Sequence, residues 1–564
     1  MTLADARFAG IALAVGVAVS TLSDFRVFLT TSAIITAIIA RSVGFLYSDT
    51  RMVSLCQVSF AGVGGWAVGW IALHSQVPVE AALLLGGVAA VPVGVVVGVP
   101  ALRLRGVNLA VATLGLAAAI QVALFNRGFP GARENFAVHR PGIAISEVRF
   151  LWFTLCVAVL LELGLRLLRR RTIGTTWAMV GQSERATAAA GRSVVVTKLT
   201  AFATSAFIAG IAGGLLALQI GRVSARQLEP VDSLVVFALA VMAGAGNVLG
   251  AAVAGVLSAW FPELLRLLGW SQDFGPMIFA VGAAQVLSQG GDGLASQWMK
   301  LAGRFKRMRR KQVGRLVEAE ECPPPNVRRS SLVVRELAVD YGSVRAVDNV
   351  SVVVEAGQVA GVIGPNGAGK STLIDAVTGY VPAAGGTMRL GSDSLDGLAV
   401  HRRARVGLSR TFQRERTPAN LLVGEYLSTA SRDRTSAAQQ EWLLALFSVP
   451  RPETPVAHLD SAERRRLELV AALSSSPSVA LVDEPAAGLT DAESSQLGTA
   501  LTRVAREWGI AILLVAHDLL LVRQVCEVVT VLDQGKMIFV GPTAQALADP
   551  VVIASYLGVE EDLK

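Results

Sequence analysis

The sequence is poor in charge, in aromatic rings and in cysteine. Charged residues make up 17% of its 564 positions and aromatic residues 6%. Its four cysteines, Cys56, Cys156, Cys322 and Cys526, lie far apart with no C-x-x-C pair. That spacing suggests neither a disulfide framework nor a zinc site and leaves buried or incidental thiols. The shortage of charge is uneven. Residues 1–289 are mostly Ala, Val, Leu, Gly and Ile with charges in short clusters, whereas residues 300–564 carry the mixed charge of a soluble domain. A chain of this length holds more than one domain. The expected organisation is a polytopic α-helical membrane domain at 1–300, a basic and Pro-rich linker at 301–330, and an α/β domain with a phosphate-binding loop at 331–564. The formal net charge of +8 is concentrated at Arg304, Lys306, Arg307, Arg309, Arg310, Lys311 and Arg315, directly after the last apolar stretch. That position favours a cytoplasmic segment beside anionic lipid headgroups over a nucleic-acid patch.

Ten apolar stretches are candidate spans: 8–22, 27–47, 52–73, 81–99, 107–125, 148–168, 199–220, 231–243, 248–268 and 276–287. Several are shorter than the roughly 20 residues a straight span needs, so about eight to ten crossings are expected. Arg7 with the first stretch resembles a signal peptide, but the apolar stretches that follow favour a retained first span. Glycine and alanine are dense, as in Ala61-Gly-Val-Gly-Gly-Trp66 and Ala209-Gly-Ile-Ala-Gly-Gly214. Such residues let helices approach closely in lipid, and plain packing accounts for most of them. Arg103 and Arg105, Arg166 and Arg169 to Arg171, and the basic linker should face the cytoplasm. Asp24, Glu162, Asp232, Glu263 and Asp273 are ionisable residues in or beside spans; they can line a path or simply occupy helix ends. Residues 177–196, with Glu184, Arg185 and Arg192, are too polar to span and read as a short amphipathic helix and turn.

The second half opens with β-like stretches at 332–341, 350–354 and 359–363. The last leads into Gly364-Pro-Asn-Gly-Ala-Gly-Lys-Ser-Thr372, a G-x-x-x-x-G-K-S phosphate loop. Glycines there let successive N–H groups turn onto phosphate oxygens. Lys370 reaches the β- and γ-phosphates and the Ser371 hydroxyl can ligate Mg²⁺. Further on, Val479-Ala-Leu-Val-Asp483-Glu484 is an apolar strand ending in two acids. Asp483 is placed to hold Mg²⁺, directly or through water, and Glu484 to polarise the attacking water. A strand at 510–515 is followed by His517, which can contact the γ-phosphate or orient Glu484.

These residues together resemble the ATP-binding subunit of ATP-binding-cassette (ABC) transporters over most of 332–557. The resemblance implies an adenine-stacking aromatic at Tyr341. It implies a phosphate site made by Gly364, Asn366, Gly367, Gly369, Lys370, Ser371 and Thr372, and Mg²⁺ held by Ser371, Gln413 and Asp483. The catalytic roles fall on Glu484, His517 and the lid glutamine Gln413. Gly407-Leu-Ser-Arg-Thr-Phe-Gln413 and Glu484-Pro-Ala-Ala-Gly-Leu-Thr490 are close to the ATPase subunits of branched-chain amino acid importers. Ser54-Leu-Cys-Gln-Val-Ser-Phe-Ala-Gly-Val-Gly-Gly-Trp66, the stretch Leu102 to Gly115 and the stretch Thr197 to Gly214 resemble a permease subunit of those importers. Gly181 to Gly191 resembles its coupling loop, with Gly181, Glu184, Ala188 and Gly191 at the matching positions. The chain thus resembles a permease fused to an ATPase, implying ATP and Mg²⁺ as cofactors. The partners implied are a second permease, a second ATPase with an intact signature and an extracytoplasmic substrate-binding protein, in lipid and without nucleic acid.

One motif departs from that pattern. The family's Leu-Ser-Gly-Gly-Gln signature stands here as Leu459-Asp460-Ser461-Ala462-Glu463. Asp460 puts an anion where a hydroxyl would meet phosphate, and Ala462 adds a side chain where backbone approach is wanted. The expectation is a heterodimer with one productive and one poor site. Import of a small polar solute leads; an exporter half-transporter and a weakly hydrolysing regulatory subunit are the alternatives.

Overall fold

A computed structural model of the chain describes residues 3–127, 138–221, 229–288, 293–294, 322–325, 328–413, 416–432 and 434–557. The basic cluster at 304–315 lies outside the described residues. Two compact units form, one from 1–177 with 195–311 and the other from 178–194 with 312–564.

The first unit is helical. Its helices are α1 (Leu3–Ser20), α2 (Asp24–Thr50), α3 (Gln57–His74), α4 (Val79–Gly98), α5 (Gly106–Arg127) and α6 (Glu147–Arg170). Past α7 (Thr172–Gln182) and α8 (Glu184–Ala189), which from residue 178 on belong to the second unit, come α9 (Val194–Ile220), α10 (Pro230–Ala243), α11 (Val248–Leu267) and α12 (Phe274–Ser288). Each of the ten expected stretches is a helix. Among the described residues six of them, α2, α4, α5, α6, α9 and α11, are long and apolar enough to cross a membrane. Others are shorter than a straight span needs, among them α10 and α12 at 14 and 15 residues.

The small-residue stripes do pack helices. A Cβ on Gly64 would lie 2.1 Å from the Gly210 carbonyl oxygen, and one on Gly213 would lie 1.8 Å from that of Ala61. The two glycine-rich motifs therefore face each other across α3 and α9, where backbone contact replaces side-chain packing. Glu162 on α6 is buried and accepts hydrogen bonds from Arg41 on α2 at 2.9 Å and from Arg166 at 2.9 Å. Arg41 also donates to the carbonyls of Ala245 and Gly246 at 3.3 and 2.9 Å, and Arg169 is paired with Asp49 at 2.7 Å. Glu162 is thus a locked structural anion. Asp24 and Asp232 stand in the first turns of α2 and α10, Glu263 pairs with Arg266, and Asp273 accepts from Ser271.

The second unit holds two sheets. The first is four-stranded and antiparallel, in the order β2 (Val344–Val354), β1 (Leu332–Tyr341), β4 (Gly385–Leu390), β5 (Asp393–Ser394). The second runs β10 (Lys536–Pro542), β9 (Val528–Asp533), β3 (Val359–Ile363), β8 (Ala511–Val515), β7 (Val479–Asp483), β6 (Leu408–Arg410). All its pairs are parallel except β10 with β9. Strands β3, β7 and β8 are buried at every position, which explains why they are Val, Ile, Leu and Ala but for Gly361 in β3 and Asp483 at the end of β7. Their C-terminal ends lie together, where ligands bind in open parallel sheets.

Candidate nucleotide site

Strand β3 delivers the chain into the phosphate loop. Gly364, Gly367 and Gly369 take φ of 148°, 85° and 96°, a region that favours glycine. A Cβ on Gly364 would lie 2.1 Å from the Leu532 carbonyl oxygen, whereas one on Gly367 would meet nothing within 4 Å. Gly364 is needed for fit, and Gly367 keeps an open face. The helix Lys370–Thr378 follows at once, so its free N–H groups point into the loop. The Lys370 ammonium is buried and donates to the carbonyls of Gly364 and Pro365, both at 2.7 Å. Burial lowers its pKa below the ordinary lysine value, while Glu484 and Asp483 act the other way. Asn366 and Ser371 are exposed and Thr372 is half-buried. Tyr341, half exposed at the end of β1, stands on the hairpin whose Ala346 carbonyl abuts Gly369. From the far end of the chain, the Tyr556 hydroxyl accepts the Gly364 N–H at 2.7 Å.

Asp483 ends β7 with only 5% of its surface exposed, and its N–H donates to Thr411 Oγ1 at 3.1 Å. Burial raises its pKa and the nearby Arg410 opposes the rise. Glu484 follows at φ 46°, an unusual region for a non-glycine residue, with its N–H bound to the Val515 carbonyl at 2.8 Å. Its carboxylate joins two distant residues. Oε1 lies 2.7 Å from His517 Nε2, and Oε2 accepts from Gln413 Nε2 at 2.8 Å. The residues expected from three separate stretches thus converge on one carboxylate.

The departed signature has a local structural role. Asp460 is the N-cap of the helix Ser461–Ser474: its carboxylate accepts the Glu463 N–H at 2.7 Å, and the Glu463 carboxylate accepts the Asp460 N–H at 3.0 Å. This is a reciprocal capping box. Leu459 is buried just before it, and Ser461 and Ala462 form the first turn.

Residues 178–194 pack within the second unit. Ala178 and Met179 are buried in the same core as Leu421, Tyr426 and Leu427. Gly181 lies in the last turn of α7, Glu184 opens α8, and Ala188 lies inside it. Arg416 donates to Ser183 Oγ at 3.0 Å, Tyr380 to the Arg185 carbonyl at 2.6 Å and Arg405 to the Gly191 carbonyl at 3.0 Å. Arg192 donates to the Thr429 carbonyl at 3.0 Å. A Cβ on Gly191, at φ 76°, would lie 2.5 Å from Arg432 Nη1. Burial, together with Arg434, Arg192 and Arg405, lowers the Arg432 pKa to about 10. Arg410, Asp375, Tyr380, Arg416 and Tyr556 were not singled out from sequence. The one signal among them was Arg410, a charge at the end of a buried strand.

The donor set fits Mg²⁺. A hydroxyl at Ser371, a carboxylate at Asp483 and an amide oxygen at Gln413 are hard oxygen ligands, and Mg²⁺ on a nucleotide takes few protein ligands. Among the described residues, no group of three or more His, Cys, Asp or Glu forms an all-protein metal cage.

Helices long and apolar enough to cross a membrane, followed by this sheet and phosphate loop, define a membrane-embedded transporter subunit with its own ATPase. The branched-chain amino acid transport system permease component matches residues 8–282, and the ABC transporter family matches residues 347–487. The chain belongs to the ABC transporters, as a branched-chain amino acid type permease domain fused to an ABC ATPase domain. The high-affinity branched-chain amino acid transport ATP-binding protein BraF of Pseudomonas aeruginosa is 32% identical over 251 residues, 41% of this chain and 98% of that protein. The LivG protein of Escherichia coli, of the same description, is 32% identical over 248 residues, 40% of this chain and 97% of that protein. The lipopolysaccharide export system ATP-binding protein LptB of Escherichia coli is 32% identical over 236 residues, 41% of this chain and 98% of that protein. A crystal structure of an ABC transporter cassette in its ADP conformation is 23% identical, covering 41% of this chain and 100% of that one, with a TM-score of 0.37.

Proposed function

We propose that the chain is the fused permease–ATPase subunit of an importer for branched-chain amino acids or related amino acids and amides. The observation that carries this reading is the union, in one polypeptide, of a permease match over 8–282 and a nucleotide site whose Gln413, Glu484 and His517 converge. Likeness to LptB keeps export as the second reading, since the ATPase half is equally similar to an export protein. The permease match favours import.

In this mechanism the loop N–H groups and Lys370 hold the β- and γ-phosphates, with Tyr341 against the adenine. Ser371, Asp483 and Gln413 would hold Mg²⁺, which would supply neutralisation of the phosphate charge. Glu484 takes the proton of the attacking water, its carboxylate aimed by Gln413 and His517. Residues 178–194 carry the motion to the permease, the ATPase half facing the cytoplasm. A second permease, a second ATPase and a substrate-binding protein complete the assembly.

The ATPase pair is asymmetric. The Asp460 carboxylate already accepts the Glu463 N–H of its own helix, so that helix end offers an anion where the partner's nucleotide needs donors. Replacing Asp460-Ser-Ala-Glu463 with Ser-Gly-Gly-Gln should preserve assembly, since serine also caps helices, and should raise nucleotide trapped with vanadate from one to two per complex. Trapping of one nucleotide in both complexes would remove the asymmetry.

Uptake of labelled leucine, with unlabelled amino acids, amides and urea as competitors, tests the main reading. In cells carrying Lys370→Ala with the other subunits in place, uptake should fall at least about a hundredfold, as expected for loss of a phosphate-site cation. Equal uptake in both cell types would defeat ATP-driven import of this class.

A further inference from the structure

A chain of charges, buried at its Arg410 and Asp483 end, connects the 178–194 segment to the acid at the end of β7. Asp375 lies on the helix Lys370–Thr378, one turn and a half from the phosphate loop. Its Oδ1 accepts from Arg410 Nη1, while its Oδ2 stands 3.6 Å from Arg185 Nη1. Arg410 is 5% exposed in its side chain and reaches a second carboxylate: its Nη2 lies 3.6 Å from Asp483 Oδ2, beyond a direct hydrogen bond. Thr378 Oγ1 takes a further bond from Arg410 Nη1 at 2.9 Å. The rings of Tyr380 and Phe412 lie 5.5 and 5.1 Å from the Arg410 guanidinium, and Tyr380 also lies 4.8 Å from that of Arg185.

One buried guanidinium is thus divided between two carboxylates, and one of those carboxylates is divided between two guanidiniums. A buried charge cannot be left without a counterion except at several kcal/mol. Any weakening of Asp375's hold must therefore move Arg410 toward Asp483. There it would compete with a cation for the same carboxylate oxygens.

We propose that Asp375 is a positioning residue that holds Arg410 back from Asp483, and that Arg185 of the 178–194 segment loosens this hold when it engages Asp375. The segment would thereby set how readily Asp483 accepts Mg²⁺. This rests on the reading of Asp483 as a Mg²⁺ ligand.

The test uses the full chain in its assembled complex and binding of a fluorescent ATP analogue, first in EDTA and then over a Mg²⁺ titration. Asp375→Asn should raise the Mg²⁺ midpoint about tenfold and leave affinity in EDTA within about twofold, a coupling of ordinary allosteric size. Asp375→Glu should restore most of the midpoint. Arg185→Ala, at a half-exposed position, should lower the midpoint about threefold. A merely structural Asp375 would weaken binding equally with and without Mg²⁺, and that result would overturn the proposal. An unchanged midpoint in Asp375→Asn, or in Arg185→Ala should Asp375→Asn not fold, would do so too. Asp483→Asn is the separate control: no effect of that variant on the midpoint would retire the Mg²⁺ role of Asp483 itself.

Discussion

Glu484→Gln is expected to lower ATP turnover by about two to four orders of magnitude while nucleotide still binds. The carboxylate is gripped from both sides, by Gln413 at 2.8 Å and His517 at 2.7 Å, so an amide of the same shape fits the same place. It loses only the capacity to take a proton from water. The backbone at φ 46° is held by the bond to Val515, and the substitution does not touch it. Lys370 and the loop N–H groups remain, so binding of a fluorescent ATP analogue should change less than about threefold, since those contacts supply the phosphate affinity. The initial rate of phosphate release measures the first effect. A loss smaller than tenfold would move the base to another group, and His517 would be the next residue to change.

Glu162→Ala is expected to cost about 3–5 kcal/mol in the membrane unit, because it strands a buried cation. Arg41 is as deeply buried as Glu162, with 7% of each side chain exposed, and would keep the carbonyls of Ala245 and Gly246 and the more distant Asp49, beside the cation Arg169. Thermal unfolding in detergent reads the loss. The double variant Arg41→Met with Glu162→Leu should recover much of it, since removing both charges spares the desolvation of either. A stability unchanged by Glu162→Ala would show that water reaches the pair, and Glu162 would return as a residue lining a solute path.

The phosphate loop was legible because its chemistry is local: nine consecutive residues carry the turn, the cation and the hydroxyl. Asp483, Glu484 and His517 were legible by position, at or just past the ends of strands whose apolar runs mark them as buried, and Gln413 only through the family resemblance. Their mutual distances were not, since β6, β7 and β8 are neighbours only in the sheet. Asp375 was hidden for the same reason, as its cations come from α8 and β6. In the sequence Asp460 departs from a phosphate-binding signature. The spacing of Asp460 and Glu463 also matches a capping box, and the structure gives the pair that role. In the membrane unit, apolar composition located all ten helices. It does not tell which of the shorter ones cross, because an apolar run marks burial in lipid or protein alike.

Residues 178–194 dock on the ATPase half of their own chain, through Arg192 to Thr429, Arg405 to Gly191 and Arg416 to Ser183. Where two such parts are separate proteins, each of these bonds helps decide whether the complex survives dilution. Here the docking is intramolecular, and covalent linkage supplies an effective concentration on the order of millimolar. Single losses at this contact should therefore leave the ATPase half attached even in dilute detergent, and their cost should surface as slippage between ATP consumed and solute moved.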